Sequence, residues 1–234
     1  MTCRDQTPRK SQISRSVGEV GLALGLSALS ARAELVTQGV GILDTKLNVI
    51  WTKDANLLAT LEGSTPASYS ALVTAIIAAN NGTIEDVKNF YDGDSKKYVL
   101  SASDFGTGGT ADYWGAIAFV HYLNKIHYGG SSRWALPSIT EDAALGYNQT
   151  GNAFGELYYT ELGAAAGSTI PNGPFINIQT GTGLAGYWFA ESYDLNANFA
   201  WFFSTTWGYQ FFTHKIYLNY VWPVRPGPSL YTAR

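Results

Sequence analysis

The residues able to do chemistry in this chain are few and scattered. Glu191, Asp194 and Asn196 fall within six positions and are flanked by strand-like runs, so they belong to one hairpin tip. Their oxygens could face a calcium ion or the hydroxyls of a sugar, although a polar turn uses the same residue types for its own geometry. Asp92 and Asp94, with Gly93 and Ser95, resemble part of a calcium loop but lack the glutamate required at its twelfth position. His121, His127 and His214 are the three histidines, and no His-Glu-x-x-His pair occurs. Glu156 and Glu161 could serve as paired glycosidase carboxylates, but five residues apart on an α-helix they do not share a face. Gly181-Thr182-Gly183-Leu184-Ala185-Gly186 has the letters of a dinucleotide fingerprint, yet a Tyr-Trp-Phe run follows where that device needs a helix. There is no Gly-x-Ser-x-Gly elbow for a serine nucleophile. The expectation is therefore a non-enzyme with no cofactor and no metal.

Aromatic residues form the second class of candidates. Between Tyr187 and Trp222, 15 of 36 residues are Phe, Tyr or Trp. Side chains alternate across a strand, so Trp201 and Phe203 share one face and Phe202 the other. Rings on both faces cannot all enter one core. One face packs on helices, and the other is covered by loops or left open for stacking. Loop cover is the favoured reading, with Trp207, Tyr209, Tyr217 and Tyr220 as the candidates for exposed ligand-binding rings.

The elements that must position these residues follow from spacing. Gly39 to Lys53 reads as a hairpin, and Ser68 to Asn80 as a helix ended by Asn80-Asn81-Gly82. Gly82 to Thr110 reads as a long excursion with one short strand at Lys97 to Leu100. Ala111 to Ile126 keeps helical spacing, with Asp112 as its cap and Tyr128-Gly129-Gly130 as its end. Ser138 or Thr140 could start a short helix through Glu141 and Asp142, and a further helix is expected over Asn152 to Leu162. Gly163 to Gly183 reads as loop, and Tyr187 to Trp222 as an antiparallel meander. Early helices and late strands predict an α+β domain.

Composition bounds the partners. Arg4, Arg9, Lys10 and Arg15 precede an apolar stretch from Val20 to Leu29 and the small residues of Ala31-Arg32-Ala33. That pattern predicts a signal peptide over residues 1–33, a single domain over 34–234, and an exported protein at the cell surface, in the periplasm or outside the cell. The apolar stretch is too short for a membrane span. Removing five basic and two acidic leader residues from totals of 15 and 18 leaves a net charge of −6. Such a chain does not suit nucleic acid or an anionic membrane. Cys3 lies in the leader, so the remaining chain can form no disulfide.

Several motifs together resemble one family. They are Asp44 with Trp51-Thr52-Lys53-Asp54-Ala55-Asn56, the aromatic helix ending in Tyr128-Gly129-Gly130, and Trp134-Ala135-Leu136-Pro137. Gly155-Glu156-Leu157-Tyr158-Tyr159, Tyr187-Trp188, Ala200-Trp201-Phe202-Phe203 and Val224-Arg225-Pro226-Gly227 follow in order. Over roughly residues 40–227 the chain is similar to the Lcl C-terminal domain family, named for the end of a bacterial collagen-like adhesin. The resemblance implies a C-type-lectin-like fold, with two main helices packed on a small twisted antiparallel sheet and long loops. It also implies export, and the best-described relative binds sulfated polysaccharides. The usual Trp-Arg-Leu-Pro is replaced here by Arg133-Trp134-Ala135-Leu136-Pro137.

The function expected from these readings is a secreted or surface binding or adhesion domain for an extracellular polysaccharide or a surface protein. A structural subunit of a surface or matrix array, which an oligomer would suit, is one alternative, and an enzyme is the other.

Overall fold

The structure is a computed structural model, and it describes residues 34–86, 96–140, 143–181 and 186–228. The predicted leader, the Asp92–Ser95 acidic turn and the Glu141–Asp142 pair lie outside the described residues.

The chain opens as a meander. Strands β1 (Leu35–Gln38), β2 (Gly41–Asp44) and β3 (Val49–Thr52) pair antiparallel, and β13 (Val224–Pro226) returns from the far end of the chain to pair with β3. The predicted hairpin over 39–53 is therefore present as β2–β3. Asp44 shapes its turn, because its Oδ1 accepts from the backbone N–H groups of Lys46 and Leu47. Two helices follow. α1 (Leu57–Glu62) was not foreseen. α2 (Pro66–Ala79) begins two residues before its predicted start, because Thr65 and Ser68 make a reciprocal capping box and Pro66 fills the first helical position. The excursion over 82–110 holds β4 (Thr83–Glu85), β5 (Lys97–Val99), β6 (Phe105–Gly106) and β7 (Thr110–Ala111). α3 (Tyr113–Lys125) is capped by Asp112, whose Oδ1 accepts from Gly115 N–H at 2.7 Å, as its sequence position predicts.

The central sheet is built on β9 (Tyr187–Ser192), β10 (Phe199–Ser204) and β11 (Tyr209–His214), which form the expected antiparallel meander. It grows to seven strands in the order β6-β7-β12-β9-β10-β11-β8, with β8 (Gly146–Tyr147) and β12 (Asn219–Tyr220). β12 runs parallel to β9. Both faces of β9 and β10 are largely buried. Trp188, Ala200 and Phe202 pack with Leu72, Ile76, Trp114 and Phe119 of the α2–α3 pair. Tyr187, Phe189, Trp201 and Phe203 pack on the other side with Trp51, Phe154, Tyr158 and Trp222. Cover of the second face is the outcome favoured from the sequence. The covering material is the small sheet and the 153–175 region.

The expected helix over 152–162 is replaced by a short α turn, α4 (Ala153–Gly155), running into a π-helix at Glu156–Glu161. Leu162 N–H bonds back to Leu157 O, five residues earlier. No helix forms over the described part of the Ser138–Asp142 stretch.

The predicted fold class is overturned. The described residues hold 13 strands in three sheets and four short helices. That is a mostly β architecture with a seven-stranded mixed sheet, not two main helices on a small antiparallel one. The reason is strand length. Seven of the strands have only two or three residues, and period-2 alternation needs about four residues to register. Among the described residues no helix is long and apolar enough to cross a membrane.

Two tests bear on this packing. Trp134 and Trp201 are 2% and 7% exposed, so Trp134→Ala and Trp201→Ala should each lower the unfolding free energy in urea by about 3–5 kcal/mol. A loss under about 1 kcal/mol for either would refute its place in the core. Burial pushes the Asp112 carboxyl up to about 8, against the Gly115 N–H that favours its ionised form. The unfolded carboxyl ionises near 3.8, so the folded state holds the extra proton between these values and loses stability as pH rises from 4 to 8. Asp112→Asn keeps the capping acceptor and removes that titration. The variant should therefore gain stability relative to the native protein between pH 5 and 8, and a pH-independent difference would count against the burial argument.

Candidate functional site

The acidic site candidates lie at one end of the central ribbon. β9 leaves the core after Phe189, and Ala190, Glu191 and Ser192 are half-buried. The connection to β10 is a compact polar turn. Tyr193 N–H donates to Phe199 O, Asn196 N–H to Tyr193 O, and Phe199 N–H to Asn196 O. The 135–140 segment lies alongside, held by Ala190 N–H on Pro137 O at 2.9 Å and by Ile139 N–H on Glu191 Oε2 at 2.9 Å. Between that segment and the turn lies a cleft of about 830 Å³. Glu191, Ser192, Asp194 and Thr140 supply its polar wall, while Tyr193, Leu195 and Trp201 supply its apolar one.

The aromatic wall is rigid. Tyr193 stacks on Phe212 with ring centres 4.0 Å apart and 18° between planes, and meets Trp201 edge-on at 5.4 Å. Burial pushes the Glu191 carboxyl above the ordinary carboxylate range, while hydrogen bonds from Ile139 N–H, its own backbone and the Ser138 hydroxyl pull it back. Oxygen acceptors beside ring faces suit a ligand rich in hydroxyl groups, whose O–H groups donate to carboxylates while its C–H faces lie on rings.

The seven residues singled out in the sequence separate in space. Glu191 and Asp194 line the cleft. Asn196 sits at the exposed tip, where its Oδ1 accepts from Asn198 N–H and so shapes the turn. Tyr217 is 56% exposed and lies edge-on to His214, just past β11 at the same end of the ribbon. Trp207 is exposed in the β10–β11 turn, at the other end of a six-residue strand and hence roughly 20 Å away. Tyr209 and Tyr220 are only half-exposed. Tyr209 packs edge-on against Phe202, and Tyr220 leans on Tyr187. One stacking platform of Trp207, Tyr209, Tyr217 and Tyr220 is thus not formed. Tyr193, Trp201 and Thr140 were missed as site residues. Tyr193 lies between the two acids in sequence, which is a signal that could have found it. Thr140 arrives through tertiary contact alone.

The other motifs resolve plainly. Residues 182–185 of the glycine-rich stretch lie outside the described residues, and Gly186 leads into β9, a strand and not the helix that a phosphate-binding turn needs. His121 pairs with Asn80 Oδ1 on the outer side of α3, and His214 leans on Phe199. Among the described residues no three His, Cys, Asp or Glu side chains gather to hold a metal. The π-helix changes the reading of Glu156 and Glu161. Its i→i+5 bonding stacks Glu161 one turn above Glu156. Lys46 ion-pairs Glu156, and the Glu161 carboxyl is raised by burial first, then by Asp44 and Glu156.

The family model of the Lcl C-terminal domain matches residues 41–225, which include both walls of this cleft. The chain belongs to the Lcl C-terminal domain family. No curated protein and no solved structure shows a significant match. Membership is consistent with a bacterial surface-related domain. The Lcl-type segment also contains Lys215, a lysine with no exposed surface. Its Nζ lies 2.6 Å from Asp86 Oδ2, with the Tyr113 ring 4.9 Å away.

The two acids of the cleft should differ in substitution. Glu191→Ala strips the Ile139 N–H of its acceptor and should cost about 1–3 kcal/mol in chemical denaturation. Asp194→Ala, on the exposed turn, should stay within about 0.5 kcal/mol of the native protein. Equal costs would contradict the structural role of Glu191.

Proposed function

We propose that this Lcl C-terminal domain is an exported bacterial binding module whose cleft beside Glu191 and Asp194 takes an uncharged stretch of extracellular polysaccharide. The observation that carries the reading is the pairing of acceptor oxygens with ordered rings in one cleft of about 830 Å³. None of the described residues lining it is Lys or Arg. Two carboxylates at the mouth repel sulfate esters, so the sulfated ligand implied by the family resemblance does not suit this cleft. The leader pattern over residues 1–33 supports export. The absence of a nucleophile–base pair from the sequence motifs supports binding without turnover.

The test is a glycan array followed by calorimetry on the mature domain. Neutral oligosaccharides should bind, and Asp194→Ala or Tyr193→Ala should weaken them about tenfold or more, roughly 1.4 kcal/mol. A blank array, or binding confined to sulfated chains, would sink this reading.

One observation favours an assembly role as a second reading. Ile216, Tyr217 and Leu218 are consecutive and 45–56% exposed, an apolar surface of the kind found at protein contacts. Light scattering decides it, because a strict monomer at high concentration excludes the self-assembling form of that role.

A further inference from the structure

Away from the cleft, a lysine and an aspartate meet where water does not reach. Asp86 follows β4, and Lys215 follows β11, 129 residues later. Lys215 Nζ lies 2.6 Å from Asp86 Oδ2, and the two side chains are 0% and 9% exposed. The carboxyl carbon is one bond beyond that oxygen, within a side-chain rotation of the amine.

Both backbones are anchored by bonds that do not involve these side chains. Asp86 N–H donates to Lys96 O, Lys215 N–H to Asn198 O and Tyr113 N–H to Lys215 O, each at 2.9 Å. Rings wall the contact. The centres of the Tyr113 and Trp114 rings lie 4.9 Å and 5.6 Å from Nζ, and Tyr98 stacks on Trp114 at 3.8 Å with 2° between planes. Trp114 Nε1–H donates to Asp86 Oδ2 at 3.0 Å and so holds the carboxyl against the amine.

A nucleophile and a carbonyl carbon fixed side by side react as an intramolecular pair, without the entropy loss of bringing two molecules together. A proton passed from Nζ to Oδ2 across their contact leaves a neutral amine facing a neutral carboxylic acid. Exclusion of water lowers the cost of that neutral pair relative to the ion pair.

We propose that Lys215 and Asp86 condense spontaneously to an isopeptide bond. Nζ attacks Cγ, the Nζ–Cγ bond forms and the Cγ–Oδ2 bond breaks. Oδ2 leaves as water with two of the three ammonium protons, and the third stays on the amide nitrogen. The step needs no oxidant and no second substrate. β4 and β5 form a two-stranded sheet of their own, and two strands alone are weakly held. The bond fastens that sheet to the central one. The single cysteine of the chain is Cys3, so no disulfide within the chain can supply such a tie.

Mass spectrometry of the purified native protein tests the bond. The intact mass should fall short of the purified sequence by one water. A digest made in denaturant should contain a branched peptide, and fragmentation should place its branch at Asp86 and Lys215. Asp92-Gly93 can also lose one water, by closing to a succinimide. A deficit found only in an unbranched peptide at Asp92 would therefore overturn the proposal. So would the full mass with no branched peptide, which leaves Lys215 and Asp86 an ordinary ion pair. Both results come from the native protein and do not depend on the folding of any variant. Lys215→Arg keeps a cation beside Asp86 but removes the amine, and it should show its full mass and no branch. A branched peptide persisting in Lys215→Arg would assign the bond to another lysine and overturn the pairing.

Discussion

Two adjacent strands, β9 and β10, with large rings on both faces impose one constraint on this molecule: polypeptide must lie on each side of them. Each ring buries on the order of 150–250 Å², and apolar burial yields about 25 cal/mol per Å². Leaving either face of β9–β10 in water would forgo several such rings at once. The fold therefore has three layers. The α2–α3 pair closes over Trp188 and Phe202, and the small sheet with the 153–175 region closes over Phe189 and Phe203. Phe154 joins the second layer to the ribbon, stacking on Phe203 at 5.6 Å and meeting Phe189 edge-on at 5.1 Å.

Several of the polar groups carried into these layers are tied off. Trp188 Nε1–H donates to Ala111 O, tying β9 to β7 within the central sheet, and Trp222 Nε1–H donates to Thr52 O at the end of β3 in the small sheet. Lys215 shows the same rule in its costliest form. A fully buried ammonium is tolerated because Asp86 lies against it and the Tyr113 and Trp114 rings face it, while Trp114 Nε1–H also donates to Asp86. This network ties the end of β11 to the start of α3.

The cleft is a consequence of where the layers stop. Past Phe189 the β9 side chains become Ala190, Glu191 and Ser192, and the cover is no longer continuous. The 135–140 segment, anchored on β13 at one end and on β9 at the other, supplies a second wall. Rings that complete the core at Trp201 thus border an opening lined with oxygens. Arg225 lies near the other anchor of the same segment, over Trp134 where Ala135 meets Val224.

Local chemistry was enough to place the first hairpin, the Asp112-capped helix, the aromatic meander and the acids at its tip. Each depends on neighbours close in sequence: an Asx turn at Asp44, a cap three residues from its N–H, and ring runs separated by turn residues. Family membership was also legible, because it rests on motifs in order. The fold class was not. Strands such as Phe105–Gly106, Thr110–Ala111 and Asn219–Tyr220 are two residues long and exist only because partners from elsewhere in the chain pair with them. The π-turn that aligns Glu156 with Glu161 was hidden for a related reason, since α and π windings share the same residue types. Tertiary structure alone decided which rings became walls and which became core, and it brought Thr140 to Glu191 and Arg225 onto Trp134. Burial depends on what packs from far away along the chain, and no local spacing encodes it.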